Sequence, residues 1–275
     1  MGRFSARLTA GIPTSSMAMG TFNSPGLDQN RTGNMMELVF DDIHYSYSEK
    51  EEKALAGISL KFQTGERIAL IGRNGCGKTT LILHANGIIK PQKGEVRVDG
   101  KPVGYTRKEL MELRRQVGLV FQNPEEQLFS ASVFQDLSLG PLNMGVTAEE
   151  ARQRVQNVAE LCDLTYLLNR PTHALSGGEK TRAALAGVLA MEPEILFADE
   201  VTNSLDPWMR SQVLDIFSSW VKQGHTVVLA THDWNLARTW AQRIIWIDQG
   251  LVFRQGAPSD VFSGQELPTG VFEDV

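Results

Sequence analysis

Gly72-Arg-Asn-Gly-Cys-Gly-Lys-Thr79 fits the pattern G-x-x-x-x-G-K-[ST] at every position. A triphosphate with its magnesium is a dense anion, and backbone N–H groups are the donors that can crowd it most closely. Gly72, Gly75 and Gly77 let the chain curl inward without side-chain clashes, with Asn74 and Cys76 on the loop between them. Lys78 brings a point charge to the β- and γ-phosphates, and the Thr79 hydroxyl, followed by Thr80, is placed to ligate magnesium. The flanks agree. Arg67-Ile-Ala-Leu-Ile71 has the apolar run of a buried strand, and Thr79 to Ala85 reads as a helix stopped at Asn86-Gly87. Lys78 and a helix N-terminus both favour a thiolate, so Cys76 is expected to be reactive and Cys162 to matter little.

Outward from the loop, strands and helices alternate. Ile58-Ser-Leu-Lys-Phe62 and Glu95-Val-Arg-Val-Asp99 alternate as half-buried strands, and Val117 to Phe121 is a strand with Gln122 at its end. Thr147-Ala-Glu-Glu150 matches a capping box, with Ala151, Val155 and Val158 on one face of the helix it opens. Thr181 to Met191 reads as a helix, and Glu194-Ile-Leu-Phe-Ala198 as a buried strand running into Asp199-Glu200. Asp206-Pro207 opens another helix, which Gly224 stops. Thr226 to Ala230 is again a buried strand, and Arg243 to Arg254 a hairpin. The fold class is therefore α/β, with a mostly parallel core sheet, an early antiparallel β portion and a helical insertion at about 123–174. No internal repeat is present, so residues 35–275 form one nucleotide-binding unit.

A formal charge of −5 carries no basic footprint for nucleic acid. Two cysteines are too few for a disulfide framework. No apolar run reaches the ~18 residues that span a bilayer. Residues 1–34, rich in Gly, Ser, Thr, Asn and Pro, read as a disordered extension, with a short functional arm as the alternative. The five histidines, at positions 44, 84, 173, 225 and 232, show no transition-metal spacing with the cysteines.

Asp199 stands 121 residues after Lys78, at a strand end where phosphate-loop enzymes hold their magnesium shell. Glu200, turned differently, is the candidate base or polariser for an attacking water. Leu175-Ser-Gly-Gly-Glu179 lies just upstream, with Ser176, Gly177 and Gly178 at a helix N-terminus, a ready anion site. Together these runs resemble the nucleotide-binding subunits of ABC transporters. The resemblance covers residues 36 to about 265 and implies an ABC-ATPase fold with antiparallel β and helical subdomains. It implies ATP hydrolysis with magnesium, catalysed by Lys78, Gln122, Glu200 and His232, with Thr79, Gln122 and Asp199 around the metal. Tyr47, in His44-Tyr-Ser-Tyr47, matches the aromatic that stacks on adenine. Ser176 to Glu179 matches the signature that contacts nucleotide held by a second ATPase subunit, and Ser204-Leu-Asp206 the loop that crosses between the two. Glu179 replaces a more common Gln, and Val201 stands where Pro usually follows the acidic pair, a change expected to loosen the loop carrying Asn203.

Beyond Gln122 the resemblance narrows. Tyr105 to Arg114, then Gln122-Asn-Pro-Glu-Glu-Gln-Leu-Phe129, is similar to the ATPases of energy-coupling-factor (ECF) importers, especially the cobalt type. That implies a peripheral protein on the cytoplasmic face of the membrane. Its partners would be a second ATPase subunit, with a homodimer favoured, a membrane T-subunit docked at Pro124 to Phe134, and a membrane subunit that binds the solute. A vitamin-type ECF ATPase is the main alternative, and an iron–sulfur assembly ATPase the soluble one. Only 97 residues separate Lys78 from Ser176, too few for the coiled coil of a chromosome-maintenance ATPase.

Overall fold

The chain starts its described part with the antiparallel pair β1 (Glu37–Tyr45) and β2 (Leu55–Gln63). It passes through β3 (Arg67–Ile71) and helix α1 (Lys78–Ala85), then adds β4 (Lys93–Val98) and β5 (Lys101–Pro102), completing a four-stranded sheet ordered β2-β1-β4-β5. Helix α2 (Arg107–Gln116) leads into β6 (Val117–Val120), followed by α3 (Val133–Asn143), α4 (Ala148–Leu161) and α5 (Gly177–Leu189). Then come β7 (Ile195–Asp199), α6 (Pro207–Lys222), β8 (Thr226–Thr231), α7 (Trp234–Trp240), β9 (Arg243–Asp248), β10 (Leu251–Gly256) and α8 (Pro258–Val261). This computed structural model describes residues 36–48, 53–123, 127–203 and 205–263. The 1–34 extension, Pro124 at the start of the docking segment, and Ser204 lie outside the described residues.

The second sheet runs β10-β9-β3-β8-β7-β6, parallel throughout except for the β10 edge. Sequence dictates that choice. Strands β3, β7, β8 and β9 are nearly unbroken apolar runs, which suit a sheet covered on both faces, whereas β10 alternates as an edge strand should. Alternate residues feed opposite cores. Ala69, Ile71, Leu196, Ala198, Val227 and Leu229 face the helical side, and Ile68, Leu70, Ile195, Phe197, Val228 and Ala230 face the antiparallel sheet. Phe62 of β2 meets Phe197 of β7 edge to face at 5.4 Å, clamping one sheet on the other. Such a pair is worth about 1 kcal/mol beyond its burial.

Three local readings change. Helix α5 begins at Gly177 rather than Thr181, because Ser176 and Glu179 form a reciprocal capping box: the Ser176 N–H donates to the Glu179 carboxylate at 2.7 Å. A second such box, Thr106 with Glu109, starts α2, which the sequence reading did not assign. At Thr147 only half a box forms. Its hydroxyl accepts from the Glu150 N–H, but the Glu150 carboxylate takes Arg154 at 2.7 Å instead.

Candidate nucleotide site

Parallel strands align their C-terminal ends, and here those ends gather the chemistry. The phosphate loop follows β3, Asp199-Glu200 closes β7, His232 follows β8, and Gln122 stands exposed just beyond β6. Within the loop Gly72, Gly75 and Gly77 have φ of 150°, 78° and 111°. Gly77 caps α1 with no side chain, so the first-turn N–H groups stay available to an anion. Lys78, only 5% exposed, donates its Nζ to the Gly72 carbonyl at 2.9 Å and the Arg73 carbonyl at 3.3 Å, with Glu200 Oε1 at 3.7 Å. Asn74 is exposed at the loop rim.

The Thr79 hydroxyl donates to Asp199 Oδ2 at 2.7 Å, while Asp199 Oδ1 is buried with no hydrogen-bond partner. Burial pushes the Asp199 carboxyl above the usual carboxylate range, against the Thr79 hydrogen bond. A buried carboxylate with one oxygen unserved, beside a hydroxyl, is a hard-oxygen set that fits magnesium. Glu200 has φ of +52°, a conformation L-residues rarely hold, secured by its N–H to the Ala230 carbonyl at 3.0 Å. Asn203, for which the sequence analysis proposed no role, donates its side-chain amide to Glu200 Oε2 at 2.9 Å and lies 3.1 Å from His232 Nδ1. The turn that brings it there closes from the Asn203 N–H to the Glu200 carbonyl at 3.1 Å. Val201, expected to loosen this turn, is buried in the helical-side core and anchors it.

Tyr47 is 58% exposed, and its hydroxyl hydrogen-bonds the Thr80 hydroxyl at 3.2 Å. Tyr45 packs inward, edge-on to both Tyr47 and His84 at 5.1 Å. Gly177 faces open space, whereas a side chain at Gly178 would strike Met209 of α6. Glu179 and Asp206 each cap a helix within the chain. Glu179 caps α5, with Arg170 at 3.8 Å, and Asp206 caps α6 by accepting from the Trp208 and Met209 N–H groups at 3.0 Å.

The packing of Cys76 weighs against the reactive thiolate expected from its neighbours in sequence. Its thiol is packed beneath the loop and burial raises its pKa, outweighing the nearby Lys78. Burial pushes Cys162 up to about 12, with Arg182 opposing. Raised values mean less thiolate at pH 8 than free cysteine carries, so iodoacetamide should label both far more slowly than unfolded protein. Mass spectrometry before and after denaturation checks this. Rapid native labelling at Cys76 would contradict the packing.

Residues 55–203 match the family described as ABC transporter. The energy-coupling factor transporter ATP-binding protein EcfA of Methanocaldococcus jannaschii is 42% identical over 225 residues, 82% of this chain and 80% of its own. The chain belongs to the ABC transporter ATP-binding family. CbiO1 of Clostridium perfringens, described as part of the CbiONQ ABC transporter complex, is 42% identical with a TM-score of 0.75, over 82% of this chain and 90% of its own. A dimeric ATP-binding cassette in a post-hydrolysis state with ADP and Pi is 28% identical with a TM-score of 0.72, over 80% and 98%. The α/β fold is that of an ABC ATPase, an enzyme that hydrolyses ATP with magnesium, and the likeness to ECF-type ATP-binding subunits holds. Among the described residues no helix of this ABC ATPase is long and apolar enough to cross a membrane.

Proposed function

We propose that this ABC ATPase energises an ECF-type importer of cobalt or nickel ions, as a peripheral subunit on the cytoplasmic face of the membrane. The observation that carries the metal-ion reading is the likeness to CbiO1, a component of a CbiONQ complex. A vitamin-type importer is the second reading, supported by relatives whose names specify only the ECF class. ATP enters with adenine on Tyr47 and its phosphates in the loop from Gly72 to Thr80. Lys78 leaves the Gly72 and Arg73 carbonyls for the β- and γ-phosphates. Thr79, Asp199 and Gln122 would hold magnesium, which when bound neutralises charge on the phosphate oxygens. Glu200 takes a proton from water as the new O–P bond forms and the bond to the β–γ bridging oxygen breaks, releasing ADP. His232 orients the γ-phosphate. Ser176, Gly177 and Gly178 of a second copy close the site, their helix N-terminus presenting free N–H groups. Because one chain carries an intact signature and an intact acidic pair, a homodimer with two equivalent sites is favoured.

The helical subdomain, at about 123–174, docks the membrane T-subunit in this reading, and that subunit works with a separate solute-binding membrane subunit. Gln127 turns inward, accepting from the Phe121 N–H at 3.1 Å, which couples the segment to the end of β6. Asp136 accepts from the Phe129 and Ser130 N–H groups, and Phe129 is left 76% exposed. Nearby, a groove of about 480 Å³ runs between α3 and α4, lined by Ala131, Phe134, Leu139, Leu142, Ala148 and Arg152. Phe129→Asp should weaken T-subunit binding by about 2 kcal/mol, roughly 30-fold, with ATP binding intact. Copurification with the T-subunit and ATP-driven Co²⁺ uptake measure it. Normal assembly and uptake would place docking elsewhere, and vitamin uptake by the same complex would favour the second reading. Leu128, by contrast, packs against the core, so Leu128→Asp tests folding instead.

A further inference from the structure

We propose that Asn203 is a positioning residue that fixes the tautomer of His232 and ties that ring to the Glu200 carboxylate. This rests on the reading of Glu200 and His232 as the groups that meet the water and the γ-phosphate. The steps follow from hydrogen-bond bookkeeping. A carboxylate only accepts, so the atom of the Asn203 amide 2.9 Å from Glu200 Oε2 is the nitrogen. That nitrogen has two N–H bonds and no lone pair to offer. The His232 Nδ1 at 3.1 Å from it must therefore be the acceptor. Neutral imidazole carries one proton, and with Nδ1 accepting, the proton sits on Nε2. His232 thus presents an N–H donor on the ring atom opposite Nδ1, the polarity a phosphate oxygen requires. With the opposite tautomer, a lone pair would face the anion.

The backbone fixes Asn203 as firmly as its side chain fixes His232. The Glu200–Asn203 turn is closed by a hydrogen bond, and Val201 and Thr202, at 5% and 0% exposure, pin it to the core. Glu200 itself lies 3.9 Å from His232 Nδ1, beyond direct hydrogen-bond reach, so the bridging amide is what links base and ring. The imidazole side chain is 56% exposed and makes no other hydrogen bond among the described residues.

The test uses the full-length chain, labelled with ¹⁵N-histidine and free of nucleotide. Long-range ¹H–¹⁵N NMR reads the tautomer, and a His232→Gln spectrum assigns the signal. Wild type should show Nε2–H. Asn203→Asp has nearly the same shape but offers only acceptors, so His232 should move to a form protonated at Nδ1. Both Asn203→Asp and Asn203→Ala should lower kcat by about 10- to 100-fold, the effect of a misplaced reacting group. ATP affinity should stay within about twofold, because the loop is untouched. An unchanged Nε2–H signature in Asn203→Asp, or a wild-type kcat in Asn203→Ala, overturns the proposal. So does equal loss of ATP binding and kcat, the mark of a purely structural turn. Failure of the underlying reading is separable: His232→Gln and Glu200→Gln would then keep wild-type turnover whatever the tautomer.

Discussion

Glu200→Gln should abolish most ATP turnover, by about 10²- to 10⁴-fold, while ATP remains bound. The amide keeps the shape of the carboxylate and can still face Asn203, but it cannot take a proton from water. Asp199, whose partner is the Thr79 hydroxyl, is left alone, so the magnesium shell is preserved. Turnover falls at constant ATP affinity because only the reacting step loses its acceptor. Single-turnover hydrolysis alongside equilibrium ATP binding separates the two quantities. Wild-type hydrolysis by this variant, or loss of binding, would remove Glu200 from the role of base.

Gly72→Ala should cost more in folding than Gly75→Ala in the same phosphate loop. An added Cβ there would lie 2.6 Å from Cys76 Sγ and inside contact distance of the Ile247 carbonyl, with φ at +150°. Backbone cannot step aside as a side-chain tip can, and overpacking of this kind costs about 1–3 kcal/mol. The loop would shift to relieve it, and a displacement near 1 Å is enough to cost about 100-fold in a site that depends on position. Gly75→Ala is the control: its Cβ would meet nothing within 4 Å, leaving only the backbone strain of φ +78°. Thermal melts and ATP titrations of the two variants should show Gly72→Ala destabilised more and its ATP binding lost. Equal melting of the pair would mean the packing beneath the loop is looser than the distances indicate.

Strand identity was legible because period and burial agree: a parallel strand covered on both faces must be apolar throughout, and Ile195 to Ala198 could hardly be anything else. Loop, acidic pair and signature were legible because their chemistry restricts residue type at fixed spacing. What stayed hidden depends on distance through space. Nothing in Val201-Thr-Asn203 announces that a turn folds its amide onto His232, 29 residues on. Cys76 looked activated because Lys78 is near in sequence, yet its thiol is buried, which sequence does not display, and burial raises its pKa. The capping roles of Glu179 and Asp206 were legible too, since S-x-x-E and D-P are capping signatures and both residues cap helices. Leu128 and Phe129 are neighbours of like character, and only the fold separates the core residue from the exposed one.

In the proposed assembly ATP is hydrolysed in a site completed by a second copy of the chain, the loop of one facing the Ser176-Gly-Gly178 helix end of the other. The most direct measurement is the specific ATPase rate, with magnesium, as a function of chain concentration, for wild type, Lys78→Ala and Gly177→Asp. Gly177 faces open space, so Asp there leaves the chain's own packing undisturbed and changes only what approaches from outside. A site shared between two copies gives a wild-type rate per chain that rises with concentration, and no turnover from either variant alone. A rate per chain independent of concentration across the dilute range, with Gly177→Asp as active as wild type, would contradict it.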